Sequence, residues 1–530
     1  MSASSDPSIS ASGALGSGQF TGLARSLIGR MTIDRALLVV LLAIDVVRTL
    51  RHAMWRDELQ IFMIAANSAT PSPLFYNLKY EPHPALWYTL VWVVTRFSSN
   101  PLWMQLLHIG LAISVWFLVY RCSPFSRIEK FLLLLSYFLF WEYFVISRSY
   151  VLLALIGFGF VALRERKPRP VLALWLMLGI LANVHAFGAI WSIVLAAMLV
   201  IEGPQRTPAL MAGATTYLAL LAFAIVTMAP AADFGPWAAD VRLASARLNA
   251  DLVVPFGAFV PLNWSEISEA IALLTHPTTG AIPRFWNVNP AVWFAALTHA
   301  DIDHPLRLAL VFATPIAVCW LIVRNPLRMM EFALVYVGIV LFENIWDFTG
   351  SARHHGVVFL AFVATVWTAR IRDKPDKLAS SLFTAVLAIN AIGGMLTLVS
   401  ELRPFSEGKA AAEWIKQNGL ADAFLIGSDD APVSSVAGYL GRPLYYLECQ
   451  CLGTFIVWNS KRQPELSAAR LGPAVALAGQ QGAILIRNRP LLREEIETDA
   501  PGISATLLQA FANAYRRDEN FWIYRLTKKN

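Results

Sequence analysis

Charge is what this sequence has little of. Asp, Glu, Lys and Arg together make up 15% of its 530 residues, against roughly 25% in a soluble protein. With 56% hydrophobic residues and a mean hydropathy of +0.53, too few charged side chains remain to cover an ordinary soluble surface. The same figures exclude a disordered chain and a coiled coil. Cysteine is scarce, and four residues are too few for a disulfide scaffold. No Lys/Arg cluster is large enough to form a nucleic-acid-binding face. The net charge of +7 therefore belongs to the basic loops that border membrane spans on the cytoplasmic side. No signal-peptide cleavage pattern follows the N-terminus, and no internal repeat is visible.

Apolar runs are abundant. A bilayer-spanning helix needs about 20 mostly apolar residues. Candidates lie near 34–52, 84–98, 101–120, 131–147, 149–163, 170–184, 186–201, 208–229, 306–323, 330–346, 355–370 and 380–400. The Ser/Gly/Ala-rich stretch 1–33 reads as a disordered cytoplasmic tail, because Arg25, Arg30 and Arg35 flank the first run. RERKPRP (164–170), EGPQR (202–206), RNPLR (324–328) and RIRDKPDK (370–377) also read as cytoplasmic. This puts loops 53–83 and 230–305, the turns Ser147–Tyr150 and Asn183–Phe187, and everything after Arg403 on the outer side. Twelve spans would return the C-terminus to the cytoplasm, so one segment is miscounted. The segment 84–98, short and carrying Arg96, fits a partial helix within the first outer loop.

The expected fold is an α-helical polytopic membrane protein, with about 11–13 transmembrane helices in residues 34–403. Residues 404–530 read as a small extracytoplasmic α/β domain. There GKAAAEWIKQNG (408–419) suits a helix ending at glycine. AFLIGS (423–428), PLYYLE (443–448) and GAILIR (482–487) read as short buried strands, and YRRDENFWIYRL (515–526) as the end of the sheet.

The ionisable residues of interest gather at the outer ends of the runs. In MWRDELQ (54–60), Asp57 and Glu58 follow the first run directly. A carboxylate at a low-dielectric boundary can serve as a general base; acids at a helix start also complement the dipole. KYEPHPALWYTL (79–90) crowds Lys79, Glu81 and His83 at the mouth of the next run, where each also fits a headgroup contact or a cap. Arg148 interrupts FVISRSYVLLAL (144–155). Arginine at membrane depth faces a cavity or an anion, or snorkels from a helix end. His185 in NVHAFGAIW (183–191) lies between two runs, where a hydrogen-bonded helix-end histidine is the plainer reading. ENIWDFTGSARHHG (343–356) gathers Glu343, Asp347, Arg353, His354 and His355. Arginine with histidines suits a phosphate; paired histidines with acids suit a metal, although neighbours point apart on a helix. Cys449 and Cys451 read as isolated thiols, because a disulfide across one residue is strained. Asn263-Trp264-Ser265 matches a glycosylation sequon.

In this order the motifs resemble the GT-C superfamily of membrane glycosyltransferases, in its protein mannosyltransferase/ArnT-like branch. That family has an acidic Asp-Glu-type motif soon after the first helix, matched by Asp57-Glu58. It has a His-Pro-rich helix start, matched by HPALWY (83–88), and an Arg-x-Tyr, matched by Arg148-Ser149-Tyr150. Its helix-end His-x-x-Gly is matched by His185-Ala186-Phe187-Gly188. The resemblance covers roughly residues 1–200; further on, only the long outer loop, the later spans and the outer domain agree. Ala85 stands where a second proline is frequent, and Ile146 where the family has an acid.

The resemblance implies transfer of a sugar from a polyprenyl-phosphate-sugar donor to an acceptor hydroxyl at the outer face of the inner (plasma) membrane, with inversion. Asp57 would take the acceptor proton and Glu58 would support it. Lys79, His83, Arg148, Tyr150 and His185 would hold donor phosphate or substrate, joined on residue type by Arg353 and His354. This chemistry requires no cofactor and no metal, although it tolerates a divalent ion. The expected partners are the donor, a glycan, lipid or protein acceptor, and membrane lipid. Three rival readings stand beside it. An O-antigen ligase- or polymerase-like enzyme lacks Asp-Glu straight after the first helix. A transporter favours paired repeats and midplane charges. A scaffold would use the acids only as caps.

Overall fold

A computed structural model describes residues 33–81, 83–202, 208–234, 257–261, 304–345, 351–479 and 482–529. The tail up to residue 32, most of the 230–305 loop, the sequon and Asp347 lie outside the described residues. The chain is mainly helical, with one mixed sheet near its C-terminus. By internal contacts it divides between Val47 and Arg48. The first unit comprises most of the Ile33–Arg51 helix, and the second carries everything discussed from here on.

Among the described residues four helices are long and apolar enough to cross a membrane: Leu102–Cys122, Pro208–Met228, Ala352–Arg372 and Lys377–Val399. Leu86–Thr95, Tyr150–Arg164, Val171–Ala182, Ala186–Glu202 and Phe312–Val323 are shorter apolar helices. Pro326–Ile345 has the length but carries more charge. Leu86–Thr95 has 10 residues. At 1.5 Å per residue it covers about 15 Å, half of the hydrocarbon core. It therefore stops short of a crossing on its own, as a partial helix does.

The expected span 131–147 is not one helix. Arg127–Leu134 ends, and a separate wide turn occupies Tyr137–Glu142, with Ser136 Oγ accepting from Leu139 N at 3.3 Å. The break sits where Gly394 meets the chain: a Cβ there would lie 2.1 Å from the Leu135 carbonyl oxygen. The close approach of two backbones, invisible to hydropathy, decides the interruption.

The sheet runs in the order β3-β2-β1-β4-β6-β5. β1 (Leu425–Gly427) pairs in parallel with β2 (Leu444–Tyr446) and β4 (Ala483–Arg487). β3 (Cys451–Gly453), β5 (Ile503–Phe511) and β6 (Phe521–Lys528) add antiparallel edges. Because successive side chains point to opposite faces, both faces of the central strands are apolar. Leu425, Leu444, Ile484 and Ile523 pack with the helices Gly408–Gln417 and Asp430–Leu440, while Ile426, Leu485 and Leu526 pack with Leu471–Leu477. The three expected strands fall within one or two residues of β1, β2 and β4. The 515–526 stretch enters the sheet only at Phe521, and its partner β5 was not anticipated. Cys449 and Cys451 are not isolated thiols but a disulfide. Gln450, at a φ of 51°, turns the chain back between β2 and β3. Their Cα atoms come within 5.2 Å, inside the range a disulfide spans.

The sheet region is docked on the Arg56–Ala66 helix, which carries Asp57. Gly438 lets the Asp430–Leu440 helix approach Leu59, whose Cβ would be 3.2 Å from an added methyl. Gln60 pairs with the Ile456 backbone in both directions, donating to its carbonyl at 2.7 Å and accepting from its N–H at 2.9 Å. The Glu519 carboxylate accepts from Arg56 N at 3.4 Å and from Ser406 Oγ at 2.7 Å.

Candidate active site

The helix that starts at Arg56 sends two adjacent acids in different directions, since successive residues on a helix point about 100° apart. Glu58 turns inward. Its carboxylate accepts from Ser147 N at 2.6 Å, from Trp55 N at 3.3 Å, and meets His52 Nε2 at 2.8 Å. It is fully buried and does not line the cavity. Glu58, expected from the resemblance to support Asp57, thus ties the helix start to the 147 turn.

Asp57 turns outward into a cavity of about 700 Å³. Its Oδ2 lies 3.3 Å from Arg148 Nη1 and 3.1 Å from Arg353 Nη2, and its Oδ1 lies 3.9 Å from Arg56 Nε. Arg148 also donates to the Asp57 carbonyl at 2.9 Å. The side chains of Asp57 and Arg148 are 24% and 10% exposed. Burial pushes the Asp57 carboxyl up, but Arg353, Arg148, Arg56 and Arg516 together outweigh it and hold it below the usual range. Arg353 opens the Ala352–Arg372 helix, and its carbonyl accepts from Tyr143 Oη at 2.6 Å. Gly356 makes that contact available, because a Cβ there would lie 2.3 Å from the same hydroxyl.

A second acid, Glu81, stands in the same cavity and is 8% exposed. It accepts from Gln60 Nε2 at 2.7 Å and from Tyr88 Oη at 3.0 Å. Burial outweighs these donors and the nearby Arg148, pushing its carboxyl up to about 7. Two carboxylates are thus driven in opposite directions, the arrangement that separates acid and base roles in enzymes.

Three histidines complete the polar wall. The rings of His83 and His185 are 5.2 Å apart, those of His185 and His354 5.9 Å. Tyr150 Oη lies 3.3 Å from His185 Nε2. Burial first, then Arg148 and Arg353, brings His83 down to about 3, so His83 is neutral near pH 7. Burial first, then His83 and the two arginines, holds His185 well below its ordinary value. The remaining walls differ in kind. Ile225, Met228, Pro230 and Phe342 form an apolar flank, and Ala431, Ser434, Ile456 and Trp458 come from the sheet region.

Of the residues singled out in the sequence, Asp57, His83, Arg148, His185, Arg353 and His354 line the cavity. Tyr150 supports it through His185. Lys79 does not reach it: the residue is exposed, and its carbonyl accepts from Ala231 N at 3.0 Å. His355 points away from His354, with its Nε2 3.9 Å from Glu343 Oε1. Among the described residues no group of three His, Cys, Asp or Glu is placed to hold a metal ion. Glu81, read from the sequence only as a headgroup contact or cap, also lines the cavity, and sequence reasoning assigned no role to Gln60 or Tyr88. Gln60 carried a local signal, sitting three residues after Asp57 on the same helical face. Ser434 and Trp458 carried none, because tertiary docking alone brings them to the cavity.

No model of a known protein family matches the chain, and no curated protein matches it. Among solved structures it is similar to the crystal structure of ArnT from Cupriavidus metallidurans bound to undecaprenyl phosphate. The TM-score is 0.43 and the identity 14%, covering 95% of this chain and 98% of that one. At that distance, residue roles come from the geometry of this cavity.

Proposed function

We propose that the protein is an integral-membrane glycosyltransferase that moves a sugar from a polyprenyl-phosphate-sugar donor to an acceptor hydroxyl, with inversion. The observation that carries this reading is the convergence of Arg148 and Arg353 on the Asp57 carboxylate in a cavity with an apolar flank. Arginine forks suit phosphate, and an isoprenoid chain needs a lipid-compatible wall such as Ile225, Met228 and Phe342. The basic loops support a cavity that opens at the outer face of the inner (plasma) membrane, where such a donor would present its head.

Asp57 pairs with both arginines. A donor phosphate bearing one negative charge displaces it from them and leaves the carboxylate with weaker neutralisation, so its basicity rises. The acceptor oxygen then attacks the anomeric carbon while its proton passes to Asp57. The bond from that carbon to the phosphate oxygen breaks, and the electron pair leaves on the phosphate, where Arg148 and Arg353 stabilise the new charge. Attack opposite the leaving group inverts the anomeric centre. His83, His185 and His354 supply hydrogen bonds to the sugar and phosphate, with Tyr150 holding His185. Glu81 is the second proton acceptor within reach. Glu58 keeps the helix start in place, and Lys79 serves as a headgroup contact. No step as written uses a metal.

A transporter is expected to show paired repeats and ionisable groups at the bilayer midplane, and no repeat is visible in the sequence; an O-antigen ligase- or polymerase-like enzyme lacks an Asp-Glu pair straight after the first helix. The test is transfer of labelled sugar from a polyprenyl-phosphate-sugar by purified protein in lipid nanodiscs. Native mass spectrometry with undecaprenyl phosphate provides the binding readout. Absence of both binding and transfer sinks the reading.

A further inference from the structure

We infer that the sheet region supplies the acceptor subsite of this cavity, and that the acceptor held there is a carbohydrate stacked on Trp458. The inference rests on the glycosyltransferase reading and names the substrate class that reading leaves open.

The three walls of the cavity offer three chemistries. The arginines take the donor phosphate, and the apolar flank takes its chain. The wall left for the acceptor is that of Ser434, Ile456 and Trp458. A lipid acceptor would compete with the donor for the apolar flank. A peptide acceptor needs a row of backbone partners, and this wall offers side chains instead.

Trp458 is held as a preformed platform. The Arg462 guanidinium carbon sits 4.6 Å from its ring centroid. Arg462 is itself fixed by two hydrogen bonds of 2.6 Å to Asp430, at the start of the Asp430–Leu440 helix. Two residues before Trp458, Ile456 is clamped by Gln60 at 2.7 and 2.9 Å. Two residues after it, Ser460 N donates to the Asp233 carbonyl at 2.8 Å. A rigid ring loses little freedom on binding. Its negative face attracts the electron-poor C–H groups of a pyranose, as it attracts other positive edges. Ser434 stands on the same wall, its hydroxyl proton donated to the Ala431 carbonyl at 2.7 Å. With its proton so used, its oxygen is left to accept from a sugar hydroxyl. Gln60 bridges the Ile456 carbonyl of this wall to Glu81, at 2.7 Å on each side, and Asp57 lines the same cavity.

The test uses full-length protein labelled with 5-fluorotryptophan in nanodiscs, with Trp458→Phe identifying the Trp458 resonance by its loss. The probes are di- and trisaccharides of gluco, manno, galacto and arabino configuration, a Ser/Thr-rich peptide and phosphoethanolamine. A saturable shift of the Trp458 signal with at least one saccharide, and none with peptide or headgroup, is the expected result. In transfer assays Trp458→Ala should raise the acceptor KM by about tenfold, the equivalent of one aromatic contact, while binding of undecaprenyl phosphate stays unchanged. No saccharide response in the wild-type protein overturns the inference, as does a response to peptide or headgroup instead. If undecaprenyl phosphate binds in that case, the glycosyltransferase reading survives and only the carbohydrate subsite falls. A saccharide response without undecaprenyl phosphate binding does the reverse.

Discussion

Replacing Asp57 by Asn keeps the shape of the side chain and removes its charge. In the structure that charge faces Arg353 at 3.1 Å and Arg148 at 3.3 Å, so the substitution acts in two opposite senses. As a base, Asp57 accounts for about 10² to 10⁴ in rate, and kcat should fall by that amount. As the resident partner of the arginines it competes with the donor phosphate. Without it the donor has no carboxylate to displace, and donor affinity should hold or rise, by up to about tenfold for each 1.4 kcal/mol of pairing lost. The two arginines also lose a charge-assisted partner. With Asp57 24% exposed, solvent screens part of that loss, and about 1–3 kcal/mol of stability is expected. The assay is steady-state transfer from a labelled polyprenyl-phosphate-sugar, with donor KM and kcat measured separately and a thermal melt in detergent. The expected signature is a large loss of kcat with no rise in donor KM. A folded variant with the wild-type kcat removes Asp57 as the base and moves that role to Glu81. A loss confined to donor KM makes Asp57 a binding group and refutes the mechanism as written.

Arg148→Ala should raise the donor KM by about 10- to 150-fold, equivalent to one charge-assisted hydrogen bond of roughly 1.5–3 kcal/mol; an unchanged donor KM places the phosphate elsewhere. Glu81→Gln tests the proton affinity of the second acid. Glu81 rises from 4.5 to about 7 on folding, so the folded state binds the extra proton and wild-type stability falls as pH climbs between those values. The Gln variant escapes that loss, and its melting temperature relative to wild type should be higher at pH 8 than at pH 5; an equal difference at both refutes the shift. Cys122 is exposed, Cys319 buried, and Cys449 pairs with Cys451. One thiol per chain should therefore react with maleimide in the native protein. RCSPFSRIEK (121–130), at the end of the Leu102–Cys122 helix, is basic like the other cytoplasmic loops, so a membrane-impermeant maleimide should label Cys122 only after permeabilisation of cells; labelling of intact cells reverses the orientation.

The sequence by itself determined what depends on neighbours along the chain. Apolar runs of the right length located the helices, because burying a helix in lipid requires nearly every side chain to be apolar. Short apolar runs between turns located β1, β2 and β4, because a strand covered on both faces leaves no polar alternation. Ionisable residues at the ends of the runs picked out Asp57, Arg148, His185 and Arg353, since charge is expelled from apolar helices unless something holds it. Tertiary structure decided the rest. Whether Asp57 or Glu58 meets the cavity depends on how the Arg56–Ala66 helix is rotated against the 147 turn, and adjacent acids look alike in sequence. The proton affinity of Glu81 comes from its burial beside Gln60 and Tyr88. The interruption at Leu135 comes from the backbone of a helix that begins at Lys377. Arg353 reaches Asp57, and Trp458 reaches the same cavity, only through packing between segments hundreds of residues apart. Such contacts leave no periodic trace, because each depends on the shape of two surfaces and not on the composition of either.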